Sequence, residues 1–152
     1  MFAQWDPSVA EAIIEARTSL DGPLLPILHA LRDAFGCVPT EAVPLVAKAL
    51  NLSRAEVHGV VSFYHDFKTQ PPGRRVIKVC RAESCQAMGG EAAAKFLLVA
   101  LGVGWGETTA DGAVTVEPVY CLGLCAVSPA ALIDGEPMGR LDGMTLAEAA
   151  RA

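Results

Sequence analysis

Four cysteines in two pairs constrain this chain more than any other feature: Cys80 with Cys85 (CxxxxC) and Cys121 with Cys125 (CxxxC), with 35 residues between the pairs. Thiols at such intervals form a metal-site pattern, and they require a fold that brings two distant loops together. A structural zinc ion commonly draws two thiolates from one tight CxxC turn. A 2Fe-2S cluster contains two irons, each needing two thiolates, and suits wider loops. Each loop is then expected to grip one iron. The spacing alone leaves three other uses open: a zinc site, since thiolates accept either metal; a dithiol redox protein, although that chemistry commonly relies on CxxC; and buried cysteines in a metal-free core.

Composition narrows the setting. With 152 residues, 52% of them hydrophobic, the chain is expected to fold as one or two compact domains. Twelve Lys and Arg against 17 Asp and Glu give a net charge of −5, which offers no long-range attraction to phosphate backbones or anionic lipid. Nucleic acid is excluded as an expected partner. The longest uncharged apolar run, Phe96 to Gly106, has 11 residues, well short of the roughly 20 that cross a bilayer, so no direct membrane insertion is expected. The opening MFAQWDPSVAEAII shows no basic region, hydrophobic stretch and cleavage site in succession, and the expected location is the cytoplasm. Five cysteines in a reducing compartment fit a four-thiolate site plus one spare thiol, Cys37, better than a disulfide framework.

The first half reads as four short helices over residues 7 to about 62. Asp6-Pro7 opens the first, with Val9, Ala12, Ile13 and Ala16 expected on its apolar face to about Arg17. Leu24, Ile27, Leu28 and Leu31 stripe the second, which Gly36 ends. Thr40 begins the third and Asn51 closes it. Ser53-Arg54-Ala55-Glu56 has the spacing of a capping box and starts the fourth. Thr69-Gln70-Pro71-Pro72-Gly73 cannot continue a helix, so the expected domains are 1–70, helical, and 71–152. In the second domain Val76–Val79 reads as a buried strand entering Cys80, and Glu91–Leu101 as a helix. Val114–Val116, extended by Val119-Tyr120 after Pro118, reads as a strand entering Cys121. Ala130–Asp134 and Met138–Leu141 are expected to pair as a hairpin around Asp134-Gly135, and Thr145-Leu146-Ala147-Glu148 to cap a final helix. The order implies a small mixed sheet with helices on its faces and its cysteines at strand ends.

Other residues carry weaker signals. Lys78 and Arg81 flank Cys80 while Glu83 lies inside its loop, opposing influences on a negatively charged centre. Gly123 either lets backbone approach the cluster sulfide or is an ordinary turn glycine. A trans turn proline is the ordinary expectation at Ser128-Pro129, with a cis bond as the alternative. Gly102-Val103-Gly104-Trp105-Gly106 reads as a flexible linker and not as a nucleotide loop, because no GxGxxG follows a strand and opens a helix. His29, His58 and His65 are scattered through the helical half. Phe63-Tyr64-His65-Asp66-Phe67 offers either interface anchors or core packing.

Taken together, the stretch Leu24 to Asn51, Val60-Val61-Ser62-Phe63-Tyr64 with Phe67, Pro72-Gly73, and both cysteine loops with CLGLC and its Ser-Pro resemble a known family. It is that of the 24-kDa-type subunits with thioredoxin-like 2Fe-2S ferredoxin domains, found in respiratory complex I, NAD-linked hydrogenases and soluble NAD-dependent formate dehydrogenases. The resemblance covers nearly the whole chain. It implies an α+β fold, a helical N-terminal module followed by a thioredoxin-like domain, with one 2Fe-2S cluster held by Cys80, Cys85, Cys121 and Cys125. Among the branches, the short chain and the loop CRAESCQAMGG look most like the gamma subunit of a soluble, molybdenum-containing, NAD-dependent formate dehydrogenase. The implied role is non-catalytic electron transfer. A partner flavoprotein would hold FMN and the NAD site, and a larger molybdenum-dependent subunit would oxidise formate to CO2. A subunit of complex I or of an NAD-linked hydrogenase, and a zinc-stapled interaction module, are the alternatives.

Overall fold

The computed structural model describes residues 2–151. The chain divides into two compact units, one ending at Pro71 and the other beginning at Pro72. The first contains α1 (Pro7–Glu15), α2 (Leu24–Phe35), α3 (Ala42–Leu50) and α4 (Arg54–Phe63). Local chemistry sets their ends. Asp6 accepts the Ser8 amide at 2.8 Å ahead of Pro7, and Gly36 and Asn51 close α2 and α3 in left-handed conformation. In the Ser53/Glu56 box the Ser53 amide donates to Glu56 Oε2 at 2.8 Å and the Glu56 amide to Ser53 Oγ at 3.2 Å.

The buried face of α2 is Ile27, Leu28, Leu31 and Phe35. That of α1 differs from the sequence expectation: Ala10 and Ile14 are buried, Ile13 is half-buried, and Val9 is exposed. The helix stops at Glu15, and the pair four residues apart that meets α2 and α3 is the one with a small residue, Ala10, at the contact. The aromatic segment after α4 is split between two roles. Phe67 is buried with Leu28, Val38 and Val61, while Phe63 and Tyr64 remain exposed.

The second unit is built on a four-stranded sheet in the order β2-β1-β3-β4. Its elements are β1 (Arg75–Cys80), α5 (Glu83–Ala87), α6 (Gly90–Leu101), β2 (Val114–Val119), β3 (Ala131–Ile133), β4 (Glu136–Met138) and α7 (Gly143–Arg151). Strands β1 and β2 are parallel, so the chain must cross over between them, and α5 with α6 makes the crossing. The pairs β1–β3 and β3–β4 are antiparallel. Ile77 and Val79 of β1, Val116 of β2 and Ile133 of β3 share a core with Leu97 of α6 and Leu146 of α7. The architecture is α+β, a helical unit followed by a four-stranded mixed sheet with its own helices, as expected.

Several boundaries differ from the sequence reading. The two-residue turn Asp134-Gly135 has positive φ at both positions, 52° and 89°, and opposes Ile133 to Glu136. Strand β4 therefore starts at once after the turn, at Glu136, and Leu141 is free to enter the core. Helix α7 begins at Gly143, because Asp142 accepts the Thr145 amide at 2.8 Å and caps it ahead of the expected Thr145 box. Strand β2 runs unbroken through Pro118, which its position at the sheet edge permits. The glycine-rich segment is no flexible linker. Gly106 donates to Val116 at 2.7 Å, Val116 to Glu107 at 3.2 Å and Thr109 to Val114 at 2.9 Å, so residues 106–109 satisfy the outer edge of β2, and Trp105 packs on the core. The Ser128-Pro129 bond is cis. No helix among the described residues is long and apolar enough to cross a membrane.

Candidate metal centre

Both cysteine loops leave the sheet at one end because β1 and β2 are parallel neighbours. Cys80 is the last residue of β1 and pairs with Val119, the last of β2, and Cys121 follows two residues later. Ligands collect at such carboxyl ends of adjacent strands. The first loop is not a loop throughout, since Cys85 lies on the single-turn helix α5. Its backbone is clamped by Gln86, whose side chain donates to the Arg81 carbonyl at 2.6 Å.

Cys80 and Cys85 are buried, whereas Cys121 and Cys125 are exposed, and Tyr120 beside them is 72% exposed. The site therefore has a dry wall and an open wall. Cys121 itself adopts φ 85° and Gly123 φ 74°, which curls the second loop. The backbone amides of Cys121 and Leu122, with that of Ala82, favour the charged form of the Cys80 sulfur. Gly123 donates to Cys121 Sγ at 3.4 Å. A Cβ on Gly123 would meet no protein atom within 4 Å, so its left-handed φ is what calls for glycine there.

The two buried thiols share one small cluster with Ala130. Burial pushes Cys80 up, but the three amides and the Cys85 thiol outweigh it and leave Cys80 below the ordinary thiol range. Burial also pushes Cys85 up, and with Cys80 charged beside it Cys85 stays above that range, despite the opposing Ser128 hydroxyl and Ala130 amide. Arg81, the residue after Cys80, is half-buried; its guanidinium bonds Glu91 at 3.1 Å and lies 5.0 Å from the centre of the Trp105 ring.

Two features here escaped sequence reasoning. Ser84 and Ser128, one from each loop, share a hydrogen bond at 2.9 Å, and Ser128 Oγ lies 3.7 Å from Cys85 Sγ. Gly90 starts α6 hard against the Cys85 backbone, where an added Cβ would sit 2.6 Å from the carbonyl oxygen. The doubled glycine in CQAMGG is the one sequence trace of that contact.

Among the described residues no three His, Cys, Asp or Glu side chains are gathered tightly enough to hold a single metal ion. What the fold supplies is an all-sulfur donor set on two neighbouring loops, with the Gly123 amide donating to one of the sulfurs, and that chemistry fits an iron–sulfur cluster. The remaining candidates lie elsewhere. Cys37 is buried in the helical unit, where His29 meets the Phe67 ring at 5.0 Å; His58 and His65 are exposed.

Comparison with known proteins bears on this geometry. Residues 10–152 match the family described as thioredoxin-like 2Fe-2S ferredoxin. A chain of the NADH-quinone oxidoreductase of Pseudomonas aeruginosa is 40% identical over 111 residues, 72% of this chain and 67% of that protein. NADP-reducing hydrogenase subunit HndA of Solidesulfovibrio fructosivorans is 30% identical over 128 residues, 84% of this chain and 75% of that protein. The crystal structure of an NAD+-reducing NiFe-hydrogenase in the H2-reduced state superposes with a TM-score of 0.64 at 29% identity, covering 95% of this chain and 22% of that one.

Proposed function

The chain belongs to the thioredoxin-like 2Fe-2S ferredoxin family, and from that premise we propose that it is the electron-transfer subunit of a cytoplasmic NAD-linked oxidoreductase, holding one 2Fe-2S cluster on Cys80, Cys85, Cys121 and Cys125. The observation that carries the ligand assignment is the parallel pairing of β1 with β2, which sets Cys80 opposite Val119 and brings the Cys121–Cys125 loop to the same end of the sheet as the Cys80–Cys85 loop. When bound, the cluster passes one electron at a time. The chain's own residues hold two ligands in the dry interior and two at the surface, so the site is open to an electron partner on the side of Cys121, Cys125 and Tyr120.

For the whole assembly we favour a soluble formate dehydrogenase, in which a flavoprotein carries FMN and the NAD site and a larger molybdenum-dependent subunit oxidises formate. The support is the resemblance of CRAESCQAMGG and its surroundings to the gamma subunits of such enzymes. A hydrogenase is the second reading, favoured by the backbone likeness to the NAD+-reducing hydrogenase over 95% of this chain.

Anaerobically prepared protein should contain two irons and two acid-labile sulfides per chain. One-electron reduction should produce an axial or rhombic EPR signal that disappears in Cys121→Ala. A colourless protein with one zinc and no sulfide would overturn the assignment, and a native signal in Cys121→Ala would remove that ligand. The native assembly, co-purified and supplied with formate and then with hydrogen, should reduce NAD with formate. Reduction with hydrogen alone transfers the assignment to the second reading.

A further inference from the structure

Two hydroxyls, Ser84 and Ser128, bridge the cysteine loops. Ser128 is buried, and its Oγ donates to the Cys125 carbonyl at 2.8 Å. Ser84, half-buried on α5, lies 2.9 Å from Ser128 Oγ and 3.5 Å from the same carbonyl. In the thiol form Cys85 donates its own proton to Ser128 Oγ at 3.7 Å. A cysteine that ligates iron has lost that proton. The bond must then reverse, because a thiolate only accepts, and the Ser128 hydroxyl already lies in place with a proton to give.

Reversal is cheap in this structure. The Cys125 carbonyl keeps the backbone amide of Ser128, at 3.3 Å, when the hydroxyl turns away. Ser84 can donate to Ser128 Oγ, so the relay Ser84 to Ser128 to Cys85 sulfur leaves neither hydroxyl unsatisfied. We infer that Ser128, backed by Ser84, is a positioning residue that donates its hydroxyl to the Cys85 sulfur and raises the reduction potential of the centre Cys85 ligates. The inference rests on the ligand reading above. Donation to a sulfur favours the more negative of two charge states, and burial keeps water from replacing the lost donor.

The test is an EPR-monitored redox titration of the holoprotein, wild type against Ser128→Ala, Ser128→Thr and Ser84→Ala, with iron and sulfide measured in each. In Ser128→Ala the reduced-to-oxidised ratio at a fixed poise should fall about tenfold, the scale of one hydrogen bond, equivalent to ~59 mV for a one-electron couple. Ser128→Thr should return it toward wild type, and Ser84→Ala should shift it the same way by less. An unchanged or raised potential in a fully loaded Ser128→Ala overturns the inference. If that variant fails to load, Ser84→Ala decides: a lowered potential supports the relay and an unchanged one overturns it. Wild-type protein without iron or sulfide would instead refute the ligand reading.

Discussion

Replacing Gly90 with alanine tests whether the second buried ligand is held by close backbone packing. Alanine ordinarily favours a helix over glycine by up to ~1 kcal/mol. At Gly90, however, the new Cβ would lie 2.6 Å from the Cys85 carbonyl oxygen and 3.0 Å from its carbon, about 0.8 Å inside ordinary contact on the oxygen. Helix α6 is not free to yield, because Ala93, Ala94 and Leu97 fix it in the core. The single turn α5 must therefore move, taking Cys85 away from Cys80 and Ser128. Overpacking of this kind costs about 1–3 kcal/mol, which outweighs the propensity gain, and for a unit of this size each kcal/mol lowers Tm by about 4–8 °C. Gly59 in α4 is the control, since its Cβ meets nothing within 4 Å and its φ is not left-handed. Gly59→Ala should stabilise the protein by about 0.5–1 kcal/mol and leave iron content unchanged. Gly90→Ala should lower both Tm and iron and sulfide per chain. Wild-type values of both in Gly90→Ala would show that the contact at Cys85 does not constrain the ligand.

Two further expectations follow from charged groups. The Thr145 hydroxyl and amide hold the Asp142 carboxyl below its ordinary range, so its contribution to stability is complete above about pH 4 and is lost as pH falls through the lowered value. Asp142→Asn should therefore lose less stability than wild type in denaturant titrations between pH 5 and pH 3; an equal loss would refute the cap. Arg81→Glu replaces a cation next to a ligand with an anion and places it beside Glu91, so the midpoint potential should become more negative, and an unchanged or raised value in a redox titration counts against it.

The differences between expectation and structure have a common physical origin. Capping chemistry is local, and Asp6, Ser53 with Glu56, Gly36 and Asn51 act where their neighbours in the chain indicated. Helix rotation and strand ends answer to distant partners. The face of α1 was set by packing on α2 and α3, and the start of β4 by the geometry of the Asp134-Gly135 turn. Gly102 to Gly106 looked flexible only because nothing in the order of residues announced that β2 would need its outer edge covered.

What the order of amino acids determined by itself was the sulfur chemistry and its spacing: two pairs of soft donors, each at the end of a β-branched run, after four capped helices. These rest on neighbours within a few positions, where side-chain type decides geometry directly. The tertiary structure alone decided that both cysteine loops leave the sheet at one end, that Ser84 meets Ser128 across 44 residues, and that Gly90 touches the Cys85 backbone. Each of these depends on the parallel register of β1 and β2 and on the crossover between them, and hydrogen bonds that act over about 3 Å exist only once that register is made.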